Sequence, residues 1–113
     1  EVRTEMVPAV THEDFDRFGE SVYRYGRLAG SCFAPLQGGP YNGTHLANLM
    51  ALVRSLGVAG VGQSSWGPTL FAVLPSEQQA EDLASRLRRE PLSAGACVSI
   101  CAVDNGGARV HCV

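Results

Sequence analysis

The chain has 113 residues, 45% of them apolar, and a net charge of −2, a length that suits one domain with one core, burying about two-thirds of the unfolded surface. All nine basic residues are arginines, interspersed with eleven acids, which speaks against a nucleic-acid interface or a basic membrane patch. No apolar run approaches the roughly 20 residues of a membrane helix and Glu1-Val2-Arg3 does not open a signal peptide, so a cytoplasmic protein is expected.

Residues 1–10 read as the tail of a preceding segment, redirected at Pro8, and residues 11–113 as a single domain. Thr11 with Asp14 forms a capping-box-like start. Phe15, Phe18, Val22, Tyr25 and Ala29 then recur at steps of three and four, predicting an amphipathic helix over 12–28. Gly19 and Gly26 lower its propensity and point to close packing against a neighbour. Arg24, Arg27 and Arg54 are candidate anion partners, against the simpler reading of solvated helix arginines. The segment from Gly30 to Gly43, with four glycines and two prolines, predicts a long loop. Asn42-Gly43-Thr44 matches a glycosylation pattern and is read as a turn with Thr44 capping a helix over 45–56. The stripe of that helix is Leu46, Leu49, Met50, Val53 and Leu56. His45 in its first turn is a lesser anion candidate, and His12 is given no role.

Strands are predicted at 58–61 and 69–74. A third helix follows from the Ser76/Gln79 capping box, with Ala80, Leu83, Ala84 and Leu87 inward and Pro91 as its stop. Cys97–Val103 reads as a further strand, parallel to 69–74 across the helical crossover, and Asp104-Asn105-Gly106-Gly107 as a hairpin turn into a last strand. The expected architecture is an α+β ferredoxin-like sandwich, with helices on one face of a mainly antiparallel four-stranded sheet. Cys32, Cys97, Cys101 and Cys112 are expected to be buried reduced thiols. Metal binding is not expected, since Cys97 and Cys101 on one strand stand about 13 Å apart. A disulfide from Cys112 to either of them remains the alternative.

Residues 59–69, Ala-Gly-Val-Gly-Gln-Ser-Ser-Trp-Gly-Pro-Thr, hold the best candidate site. Three glycines, two serines and the sole tryptophan feed an apolar strand, and such a turn can direct several N–H groups at an anion. A Walker loop is excluded because Pro68 stands where its lysine belongs. A dinucleotide fingerprint is excluded by the glycine spacing. The competing reading is a plain tight connection with Trp66 plugging the core.

At these residues the sequence resembles the third conserved motif of the GHMP superfamily of small-molecule kinases, found in their C-terminal domain. Within that superfamily it is similar to the β-ribofuranosylaminobenzene 5'-phosphate synthases, in which a Gln-Ser-Ser-Trp-Gly-Pro-Thr signature is expected. Met6-Val7-Pro8-Ala9, Asp14-Phe15-Asp16-Arg17-Phe18-Gly19 and Gln37-Gly38-Gly39-Pro40-Tyr41 fit the same branch. The family's phosphate loop of its N-terminal domain has no counterpart here, so the resemblance implies the C-terminal part of a longer protein, partnered by an upstream domain.

The resemblance implies a synthase joining phosphoribosyl pyrophosphate to 4-hydroxybenzoate, a step of methanopterin biosynthesis. Gly60, Gly62, Gln63, Ser64, Ser65, Gly67 and Thr69 would bind phosphate, Trp66 would flank an aromatic acceptor, and Gly38, Gly39 and Tyr41 would lie over the turn. Two alternatives are a GHMP-type sugar kinase and a ligand-sensing or dimerisation module without chemistry. The resemblance further implies magnesium in the parent enzyme, ATP if it is a kinase, and no cofactor held by this chain alone. No general base or nucleophile is assigned, and a homodimer through the last strand is one expected assembly.

Overall fold

A computed structural model describes all of residues 1–113. A π-helical turn over Val2–Met6 runs into α1 (Val7–Thr11), followed by α2 (Phe15–Ser31), α3 (Ala34–Gln37), α4 (Thr44–Ser55), β1 (Gly60–Gln63), β2 (Leu70–Val73) and α5 (Glu77–Arg89). A 3-10 turn over Pro91–Ser93 closes the ordered elements. β1 and β2 pair antiparallel, from Gly60 opposite Val73 to Gln63 opposite Leu70. The expected α+β class holds, and the sheet has two strands, not four.

Several expected boundaries move for local reasons. Residues 2–11 are helical. Pro8 sits in the first turn of α1, where a missing N–H costs nothing, and Glu1 and Glu5 pair with Arg24 (3.0 Å) and Arg17 (3.1 Å) of α2. The cap of α2 is Asp14, whose carboxylate accepts the Arg17 N–H at 3.0 Å, and not Thr11, whose hydroxyl turns back to the Val7 carbonyl. Glu13 at φ 55° makes the break between the two helices. The 30–43 loop contains the single turn of α3, and α4 begins after Gly43 with no side-chain cap, so Thr44 is its first helical residue. Only α5 starts as read, with the Ser76 hydroxyl accepting from the Gln79 N–H at 3.2 Å.

The core is small: Met50, Val53, Val58 and Val61, enclosed by Tyr23, Tyr41, Leu70, Ala72, Leu74, Leu83 and Leu87. What brings α2 onto the sheet is glycine against glycine. A Cβ on Gly19 would lie 2.9 Å from the Gly60 nitrogen and 3.0 Å from Ala59 Cβ, so only a bare Cα permits that approach. Gly26, the other helix glycine, has open space around it, so close packing accounts for one of the two. Arg54 of α4 then ties three pieces together. It grips Glu20 at 2.7 and 3.2 Å, donates to the Ala59 carbonyl at 2.8 Å, and lies 4.1 Å over the Tyr23 ring.

Residues 96–113 form no strand, and their backbone is exposed nearly throughout. The expected strand at 97–103, its parallel pairing with 69–74 and the final hairpin are absent, and Cys97, Cys101 and Cys112 are exposed rather than buried, as is Cys32. The Asn105-Gly106 turn itself is present, with the Gly106 N–H donating to Asp104 Oδ1 at 2.8 Å. The radius of gyration, 15.1 Å, exceeds the roughly 13 Å of a compact chain of this length, as an undocked segment requires.

Candidate functional site

The connection between β1 and β2 runs from Ser64 to Thr69. Two backbone bonds close it, Ser64 N–H to the Thr69 carbonyl (2.8 Å) and Gly67 N–H to the Ser64 carbonyl (2.9 Å). Ser65 takes a left-handed conformation (φ 52°), as does Gly67 (φ 74°), and the Gly67–Pro68 peptide is cis. A left-handed residue inside a turn lets consecutive N–H groups converge on one side. The N–H groups of Ser65 and Trp66 take no part in the turn's own bonding, and both serines are exposed. The turn therefore leaves two amides and two hydroxyls without a protein hydrogen-bond partner.

Gln63 and Asn42 hold this turn in place. The Gln63 side chain accepts the Asn42 N–H at 2.7 Å and donates to the Ser65 carbonyl at 2.9 Å, while Asn42 Nδ2 donates to the Trp66 carbonyl at 2.7 Å. Because Asn42 stands just ahead of α4, the same bonds set the uncapped start of that helix beside the turn. Leu46 in its first turns reaches within 3.1 Å of where a Gly67 Cβ would be. The unbonded N–H groups of a helix start and its positive dipole end favour an anion nearby.

The other candidate residues are placed differently. Gly60 and Gly62 are buried in β1, Gly60 against Gly19 and Gly62 under the Phe71 ring, where a Cβ would come within 2.6 Å of Cζ. Thr69 contributes its carbonyl to the turn. Gly38 ends α3 in the left-handed conformation and Gly39 follows it. Tyr41 points inward, its hydroxyl buried without a hydrogen-bond partner. Burial, then the neighbouring Tyr23 phenol, push its pKa well above the usual tyrosine value, against the opposing pull of Arg27 and Arg54. Of the arginines, Arg24 is bound to Glu1 and Arg54 to Glu20, while Arg27 is exposed with its guanidinium 5.8 Å from the Tyr23 ring.

Trp66 is not a core plug. It is 50% exposed and stacks on Phe33, itself 44% exposed, with ring centroids 4.7 Å apart at 57°. Phe33 and Asn42 are the two contributors that sequence reading passed over. Asn42 carried the signal of an Asn-Gly turn and was absorbed by it, and Phe33 lay unmarked inside an expected loop. A hollow of about 430 Å³ lies between Val58, Val73 and α5, and the Ser64–Ser65 turn does not border it. No three His, Cys, Asp or Glu side chains converge as metal ligands, and no helix is long and apolar enough to cross a membrane.

The chain is an α+β unit with helices on a small antiparallel sheet, carrying a Gly/Ser turn braced beside a helix start. The family model described as "GHMP kinases C terminal" matches residues 6–94, most of the chain, and the chain belongs to that family. No curated protein and no solved structure matches it.

Proposed function

We propose that this domain supplies a phosphate-binding turn to a transferase similar to the β-ribofuranosylaminobenzene 5'-phosphate synthases, acting on phosphoribosyl pyrophosphate and 4-hydroxybenzoate. The observation that carries the reading is the bracing of the Gln63-Ser64-Ser65-Trp66 run by Asn42, which holds two unbonded amides and two serine hydroxyls next to the start of α4. Phosphate oxygens accept from such donors, and no reorganisation is needed if the donors are already fixed. In a phosphoribosyl transfer the departing pyrophosphate leaves cationic character at the ribose carbon. Donors that hold the phosphate in register, while an upstream domain excludes water, serve that step. Methanopterin biosynthesis, a cytoplasmic setting and the upstream partner all belong to this proposal.

A second reading, a GHMP sugar kinase, is favoured by the family match itself. There the same turn shapes the phosphoacceptor site. The magnesium of such an enzyme would find no carboxylate ligand in this turn, which has hydroxyls and amides only.

The test is a product assay on the enzyme containing this domain, given either phosphoribosyl pyrophosphate with 4-hydroxybenzoate or magnesium ATP with candidate sugars. Release of pyrophosphate and carbon dioxide is expected from the first mixture, and acceptor-dependent ADP would establish the kinase. Ser64→Ala with Ser65→Ala is expected to weaken substrate binding by about a hundredfold or more, two hydroxyl bonds to a charged group being lost. Unchanged binding sinks the phosphate role of the turn.

A further inference from the structure

We infer that Asn105 is a site of spontaneous deamidation, and that the bonding around Asn42 protects the chain's other Asn-Gly pair from the same reaction. The chain has three asparagines, and two of them, Asn42 and Asn105, are followed by glycine. No side chain of the following residue shields the attacking nitrogen in either pair, so both have the covalent means to react. In the reaction the glycine nitrogen gives up its proton and attacks the carbonyl carbon of the asparagine side chain. The new C–N bond closes a succinimide ring, and the side-chain nitrogen leaves as ammonia, carrying away that proton. Water then opens the ring at either carbonyl, giving aspartate, or isoaspartate, in which the backbone runs through the side-chain carboxyl. One water is consumed and one ammonia released, with no change of oxidation state.

Both asparagines are exposed, so what separates them is bonding. The Asn42 N–H donates to Gln63 Oε1 and its Nδ2 to the Trp66 carbonyl, each at 2.7 Å, while the Gly43 N–H that would have to attack donates to the Tyr41 carbonyl at 2.9 Å. Reaction there requires the side chain to leave Trp66 and the Gly43 N–H to leave Tyr41 together. Conversion of Asn42 to aspartate would also turn the Trp66-facing donor into an acceptor, so the brace of the candidate turn guards its own chemistry. Asn105 has no such hold. Its side chain makes no hydrogen bond, it lies in the segment 97–113 that forms no strand, and Gly107 at φ 72° follows the pair. The one bond at the pair, Gly106 N–H to Asp104 Oδ1 at 2.8 Å, aims the proton that must leave at a carboxylate. A segment held by so few bonds samples the bent geometry of ring closure without unfolding anything else.

The intact chain is held in mildly alkaline buffer, with and without urea, and sampled over time by tryptic digestion and mass spectrometry. Every basic residue is an arginine, so Asn105 falls in the peptide 90–109 and Asn42 in the peptide 28–54, where fragment spectra separate it from Asn48. In the folded chain, 90–109 is expected to gain the mass of an NH2-to-OH exchange about ten- to a hundredfold faster than 28–54, the factor set by two hydrogen bonds that must open together. In urea the two rates are expected to converge. Asn105→Gln should abolish the change in 90–109. Gln63→Ala, which frees the Asn42 N–H, should speed conversion of Asn42 about two- to tenfold and leave Asn105 unchanged, with a thermal melt showing that the variant is folded. Absence of conversion at Asn105 overturns the site. Equal rates at Asn42 and Asn105 in the folded chain overturn the protection, and a gap that persists in urea assigns the selectivity to local sequence and overturns the structural account. An Asn42 rate that does not move in folded Gln63→Ala removes the brace as its cause.

Discussion

The β1–β2 ribbon and the segment 97–113 draw on the same kinds of residue, yet one is held and the other lies free. In the ribbon, Val61 is 1% exposed and α2 rests directly on Gly60. In the segment, Val103 and Val110 are 81% and 86% exposed, and one side-chain bond, from Arg88 to the Val98 carbonyl at 3.2 Å, links it to α5. Two-stranded ribbons are marginal in water until a helix covers one face. The first ribbon has α2 and α4 for this purpose. The second has its turn, at Asn105-Gly106, and nothing opposite its apolar side chains. Alternation supplies the capacity to pair, and a covering element decides whether pairing happens.

The strongest way to break this contrast is to part the helix from the first ribbon. Gly19→Val drives a side chain into the Gly60 backbone, which cannot yield as a flexible side chain can, and is expected to cost about 2–3 kcal/mol. Gly26→Ala on the same helix faces open space and should stabilise by about 0.5–1 kcal/mol. Thermal melts followed by circular dichroism compare the two, and equal effects would refute the claim that α2 docks through Gly19. Next in size is Arg54→Met. It removes the grip on Glu20 and the bond to the Ala59 carbonyl, at an expected cost of about 1–2 kcal/mol by urea titration, a figure held down because Glu20 is partly solvated.

Tyr41→Phe should change stability at neutral pH by no more than about 1 kcal/mol, and in the stabilising direction, since the buried hydroxyl it removes has no partner. Its signature is at high pH. Because the folded-state pKa is raised, the unfolded chain releases the Tyr41 proton first, so this contribution is intact below about pH 10 and is lost as pH rises beyond it. The Phe variant should lose less stability than the wild type between neutral and strongly alkaline pH. Parallel curves for the two proteins would remove Tyr41 from the alkaline response. The smallest effect belongs to the free segment: ending the chain after Ala96 should move the melting free energy by no more than about 0.5 kcal/mol. A large loss would mean that 97–113 supports the fold after all.

Much of the helical layer was legible before any coordinates. The Ser76/Gln79 cap placed the start of α5, and the stripe through Leu46, Met50 and Val53 identified the buried face of α4, because caps and 3.6-residue periods act within a few residues of one another. The Gln63-Ser64-Ser65-Trp66 run pointed to both the family and the candidate turn for a similar reason, since its residues are contiguous in the chain. Local chemistry misled where two signals competed. Asp14 outdid Thr11 as a cap, and Pro8 opened a helix instead of ending a tail.

Other features depended on residues far apart in the chain. Asn42 meets Trp66 across 24 positions, Arg54 meets Glu20 across 34, and Phe33 reaches Trp66 from the start of α3. No local pattern encodes such meetings. The number of strands was decided in the same way. By itself the sequence determined which segments can bury a face. Only the tertiary structure decided which faces found a cover, because burial is a property of two surfaces and a stretch of sequence describes one.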